Sequence, residues 1–162
     1  ASQNATETTK AATVKNVQPW VSITQPNAAI AAKATYASTG GSNSSNYYSD
    51  LINSYAWDTA IVFIQAYEDS TYANSNDSTS ATVTGGNGDQ VCNINDMSGN
   101  KWEWTTETST HSGSNGSNPC TSRGGHCLGD GGNAYYYTSY HSYGSVGFSG
   151  TYSSFRLSLC VQ

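Results

Sequence analysis

Between Thr108 and Val161 the chain uses no Lys, Glu, Gln, Met or Trp, although those five types supply 18 of its first 107 residues. With usage near one residue in five or six, a run of 54 without them has odds of roughly one in ten thousand or worse. The missing five are the residues that no codon ending in a pyrimidine encodes. Tyr, Ser, Asn, Gly, His, Asp and Thr fill the run, the set that Asn codons randomised at their adenines would give. Tyr beside Ser, Gly and Asn is also the palette of an antigen-binding surface, where rigid amphipathic rings sit among small adaptable hydrogen-bonders. The tract reads as short strands and loops, with Phe155 to Val161 the clearest strand. The bland alternative is a polar low-complexity tail.

At 162 residues the chain is one domain in length, and 12 Tyr, 4 Trp and 3 Phe give it the burial capacity of a folded protein despite only 10% charged residues. A net charge of −5 leaves no basic stripe for phosphates, so no nucleic-acid partner is expected. The longest apolar stretch, Thr59 to Ala66, is interrupted by Gln65 and is far too short to span a bilayer, so no membrane insertion is expected. No basic and apolar leader stands at Ala1, so location is read from composition. Cys92, Cys120, Cys127 and Cys160 lack the spacing of a zinc site. Two disulfides are expected, Cys120 with Cys127 and Cys92 with Cys160; unpaired thiols remain the alternative, since three of the four lie in the unusual tract.

Residues 1–18 read as a flexible N-terminal segment and 19–162 as a single domain, with 108–161 its candidate variable region. Pro19 to Ile23 predicts a short strand. Thr24 caps a helix with Pro26 in its first turn, running to about Tyr36. Ser54 caps a second helix whose buried stripe is Trp57, Ile61, Ile64 and Tyr67. Ser38 to Ser45 and Ser70 to Gln90 read as loops, and Val91 to Ile94 and Lys101 to Thr106 as strands around a turn at Ser98-Gly99-Asn100. Two helices ahead of an irregular β-rich half make an α+β pattern.

The stretch Gly99-Asn100-Lys101-Trp102-Glu103-Trp104-Thr105 resembles the Gly-Asn-x-Trp-Glu-Trp-Thr of formylglycine-generating enzymes and their non-enzymatic relatives. Arg123-Gly124-Gly125 and Phe155-Arg156-Leu157 follow in that family's order, with Ser154 where its closing motif has Gly. Tyr55-Ala56-Trp57-Asp58 is similar to the start of its second helix. The resemblance covers about Trp20 to Gln162. It implies a C-type-lectin-like fold: two helices on small twisted antiparallel sheets, long loops, and a variable face in the C-terminal third. It also implies a calcium position at Ser98, Gly99, Lys101 and Glu103, an oxygen-rich set suited to a hard cation. The bottom-up reading of Trp102 and Trp104 is simpler: two core tryptophans on one strand face, with Lys101 and Glu103 on the other.

The enzymes of that family hold copper with two nearby cysteines beyond Arg-Gly-Gly. Here Cys127 follows and no second cysteine appears until Cys160, so the pair that the chemistry needs is missing. His111, His126 and His141 make no recognisable triad among so many serines. No catalysis and no required cofactor are expected, calcium being the one candidate ion. A family domain whose last third carries this residue set resembles the variable protein of a diversity-generating retroelement. The expected contacts are Tyr135, Tyr136, Tyr137, Tyr140, His141, Tyr143 and Tyr152, with His126, Asp130 and Asn133 as polar adjusters. Leu128, Val146, Phe148, Phe155, Leu157 and Leu159 would be the fixed core between them, and Arg123 would pair with a buried carboxylate such as Glu103. The expected partner is a protein or glycan on another cell or particle, met outside the cell, on its surface or on a virion; an oligomer is possible. The rivals are a structural surface or tail-fibre protein packing through its Tyr/Ser/Gly-rich end, and a divergent oxidase.

Overall fold

Side-chain caps set where both helices begin. The computed structural model describes residues 1–3, 9–36, 47–74, 83–86, 90–127 and 137–161. Strands β1 (Ser2–Gln3) and β2 (Ala11–Ala12) form an antiparallel ribbon ahead of helix α1 (Gln25–Thr35). Thr24 Oγ1 accepts from the Asn27 N–H, and Pro26 falls in the first turn, where a missing N–H costs nothing. The buried face of α1 is Ala28, Ala31 and Ala32, small enough for strand β3 (Tyr47–Leu51) to lie close. There the Ser49 hydroxyl donates to the Ala32 carbonyl at 2.6 Å.

Helix α2 (Ser54–Tyr67) is capped by Asn53, one residue before the expected Ser54. Asn53 Oδ1 accepts from the Ala56 N–H, while Ser54 gives both its N–H and its hydroxyl to Glu107. Trp57, Ile61 and Ile64 form the buried stripe, as their spacing predicts. Tyr67 does not join it and is 76% exposed. At 3.6 residues per turn it lies roughly 80° round the helix from Trp57.

Strands β4 (Gln90–Val91) and β5 (Ile94–Asn95) make a tight hairpin whose two turn residues, Cys92 and Asn93, have φ 49° and 61°. The main sheet combines β6 (Trp102–Thr108), β7 (Cys120–Arg123), β8 (His141–Gly144) and β9 (Ser153–Phe155), in the order β8-β7-β6-β9. Only β6 and β9 run parallel in it. Strand β10 (Leu157–Val161) pairs antiparallel with β3. Two helices with small, mostly antiparallel sheets make the α+β architecture. One core lies under α1, with Ile23, Leu51, Trp104 and Phe155; the other lies under α2, with Ile52, Trp57, Ile64, Tyr72 and Met97.

Several expectations are corrected. Pro19 to Ile23 forms no strand: Ser22 turns the chain at φ 56°, and the Ile23 carbonyl accepts from Trp104 Nε1 at 3.0 Å instead of entering a ladder. The described part of the N-terminal segment is packed, because Ala11 enters the core at 1% exposure and the Ala1 amine donates to the Phe155 carbonyl. Phe155 to Val161 is split at Arg156 into β9 and β10, which join different sheets. All four cysteines are free thiols. Their neighbours differ: the Cys92 thiol meets Glu68, the Cys120 thiol Gln25, and Cys160 lies by Ser158. Of the expected fixed core, Phe155 is buried and Leu157 half-buried, whereas Val146, Phe148 and Leu159 are exposed and Leu128 lies outside the described residues. Alternation alone assigned them inward, but Val146 and Phe148 fall in the turn after β8 and Leu159 on the exposed side of β10, although Phe148 still meets the Trp104 ring edge-on at 6.1 Å. The expected loop at Ser38 to Ser45 also falls largely outside the described residues, as does much of Ser70 to Gln90.

Trp104 joins core to sheet, being 1% exposed with its indole N–H used. Trp104→Ala is expected to cost about 3–5 kcal/mol in chemical denaturation, by opening a cavity and orphaning the Ile23 carbonyl. A loss below about 1 kcal/mol would show that the core does not depend on it.

Candidate ligand-contact face

Strand β8 is the outer strand of the main sheet, so its far edge is unpaired among the described residues. Its inner partner β7 is buried along its whole length, while β8 exposes His141 and Tyr143 and buries Gly144. A Cβ at Gly144 would come within 2.9 Å of the Trp104 ring, so the buried tryptophan sits directly beneath this edge.

His111, which the sequence reading left out of the contact set, completes the cluster from the β6–β7 loop. Its ring lies 4.8 Å from that of Tyr143, tilted 35°, and 6.1 Å from that of His141, nearly edge-on at 79°. The loop is held by its own hydrogen bonds: the Gly113 N–H donates to His111 Nδ1 at 3.0 Å, and the Ser114 hydroxyl to the Ser109 carbonyl at 2.9 Å. The Tyr143 phenol fills the space that a side chain on Gly113 would need. The signal for His111 was present, since it lies in the same tract; no local pattern ties it to residues thirty positions on. Tyr140 stacks on His141 at 6.2 Å, and both Tyr137 and Tyr140 are half-buried.

A second group lies beside β6. Tyr152 stacks on His126 at 5.2 Å and 24°, His126 meets Trp102 edge-on at 4.6 Å, and Lys101 Nζ sits 5.3 Å over the Tyr152 ring. Tyr152 is 38% exposed but His126 only 8%, which corrects its assignment as a contact: it is wedged beneath Tyr152 against Trp102. Asp130, Asn133, Tyr135 and Tyr136 lie outside the described residues. The structure thus gathers His141 and Tyr143 with His111, and holds Tyr152 in a separate stack.

The motif residues behind this face close on one another. Arg123 pairs with Asp58 of α2, not with Glu103. Glu103 pairs with Arg156, whose Nε and Nη2 reach its two carboxylate oxygens at 2.8 and 3.1 Å. Gly124, at φ +75°, passes so close to Trp57 that an added Cβ would sit 3.0 Å from the indole, which explains the glycine after Arg123. Of the calcium set, the Glu103 carboxylate is already taken, since the Arg156 guanidinium donates to both of its oxygens. Among the described residues no three His, Cys, Asp or Glu side chains are grouped as metal ligands. The Cys92 thiol meets Glu68, the Cys120 thiol Gln25, and Cys160 lies by Ser158. A cleft of about 460 Å³ lies elsewhere, between the N-terminal ribbon and the Glu103–Arg156 pair.

A family model for the sulfatase-modifying factor enzyme 1-like domain matches residues 27–157. The chain belongs to that family. No curated protein and no solved structure matches it.

Burial first, then the Lys101 charge, hold the His126 imidazole below its ordinary 6.5; burial, Arg123 and His111 do the same for His141. Above 6.5 both imidazoles are neutral folded or unfolded, so they leave stability unchanged. As pH falls through 6.5 the unfolded chain takes these protons first, and stability is lost. His126→Phe keeps the stacked ring and removes one titration. Between about pH 7.5 and 5.5 its Tm is expected to fall less than that of the parent. Equal falls would show that His126 does not titrate against folding.

Proposed function

We propose that this is a non-catalytic recognition domain whose C-terminal third is a diversified contact surface, the variable protein of a diversity-generating retroelement. The observation that carries this is the sorting of one restricted residue set by depth. Within the tract, the buried positions of β7 and β9 hold Cys, Thr, Ser, Arg and Phe, while β8 exposes the His141 and Tyr143 rings, with His111 and Tyr140 half-buried beside them. A low-complexity tail would show no such sorting. Rings at an unpaired sheet edge give stiff contact area with a polar tip, which suits a protein or glycan surface. Family membership, two helices and small sheets support a C-type-lectin-like frame beneath it. The absence of a second cysteine close behind Cys127 in the sequence supports a binder over an oxidase, because two-coordinate copper needs both sulfurs in one place. Such a partner would be met outside the cell, on its surface or on a virion.

The DNA around the gene tests this. A near-identical copy of the segment encoding 108–161, differing at adenines, is expected nearby together with a reverse transcriptase gene. The codons of His111, His141, Tyr143 and Tyr152 are expected among the differing ones. A complete genome lacking both would discard diversification and leave the family assignment intact.

A further inference from the structure

We propose that α2 pairs with α2 of a second copy of this chain, antiparallel about a twofold axis, through the helix face opposite its buried stripe. That face carries Tyr55, Thr59, Val62, Phe63 and Ala66, which recur at three- and four-residue intervals, with Tyr67 at its edge against the Phe63 ring. Tyr55 is 83% exposed, Tyr67 76%, Val62 63% and Phe63 45%, so the helix is apolar on both sides and covered on one. A surface helix of a lone domain has a polar outer face; one apolar all round is covered on both sides.

The chemistry of the stripe favours a second copy as the cover. It carries no charge, and the one acid of the helix, Asp58, is tied to Arg123, so two such faces meet without repulsion. The stripe is also self-complementary in size. Antiparallel pairing sets Tyr55 against the small Ala66 of the second copy and Thr59 against its Val62. It also aligns the positive end of each helix dipole with the negative end of the other. The Tyr55 and Phe63 rings at about 150–250 Å² each, weighted by their exposure and joined by Val62, Thr59, Ala66 and the edge of Tyr67, give roughly 500 Å² per copy. About 1,000 Å² for the pair is at the threshold of a specific interface and suits a weak, reversible dimer. A membrane surface is the weaker candidate: α2 has no Lys or Arg to meet anionic headgroups, and the chain carries −5. This inference does not rest on the proposed function, since α2 lies outside the 108–161 tract.

Sedimentation equilibrium of the parent chain from about 1 to 200 µM is expected to show a shift from monomer to dimer, with a midpoint in the tens of micromolar. Val62→Arg is expected to remain monomeric throughout, with an unchanged circular-dichroism melt because the position is exposed. Tyr55→Lys and Ala66→Glu are each expected to weaken the dimer roughly tenfold, and the double variant to recover most of that loss, since antiparallel pairing joins the two new charges. A parent that stays monomeric at the highest concentration overturns the proposal, whether or not it then co-sediments with phosphatidylserine vesicles. A dimer that survives Val62→Arg also overturns it. A double variant no tighter than either single one refutes the antiparallel register.

Discussion

The Arg156 guanidinium is the tie on which the rest of the structure depends. It reaches both oxygens of Glu103 in β6, the Asn95 and Asp96 carbonyls at the end of the β4–β5 hairpin, and lies 5.8 Å over the Trp57 ring of α2. It also stands where the chain leaves β9 for β10, and so leaves one sheet for another. Burial works against its charge, and Glu103 with Asp96 overcomes that and keeps it ionised. A pair this enclosed is a weak source of net stability, yet removing one partner leaves a buried charge unanswered, at about 3–5 kcal/mol. The Glu103 carboxylate that the family resemblance offers to calcium is thereby held by the protein's own cation.

That tie explains which parts of the fold were legible in the sequence. The helix starts were read from Thr24 and the residues near Ser54 because capping is local chemistry. The motif residues were recognised as landmarks, but their partners were not, because pairing across 53 or 65 positions leaves no trace in spacing. Arg123 was assigned to Glu103 when each had another partner. The two ion pairs together join α2 to β7 and β6 to the β9–β10 junction, so the scattered motifs are the two ends of two contacts.

The candidate face was legible as a composition and not as a geometry. A run free of five residue types says that the tract is unusual without saying which of its rings face outward. His126 and His141 look alike in sequence, yet one is wedged between Trp102 and Tyr152 and the other stands at the sheet edge. Val146, Phe148 and Leu159 look like core, yet are exposed. Tertiary packing decided these cases, as it does wherever strands are short and alternation runs for only a few residues.

Frame and face are separable on this account: ion pairs and tryptophans hold the fold, and the rings of the face, whose contacts are local, add little to it. Guanidinium unfolding of two variants tests that most directly, one changing His111, His141, Tyr143 and Tyr152 together to Ser, the other changing Glu103 alone to Gln. The fourfold variant is expected to lose less stability than the single one, which should lose about 3–5 kcal/mol. A fourfold variant destabilised as much as Glu103→Gln would contradict the separation, because the rings would then be part of the frame.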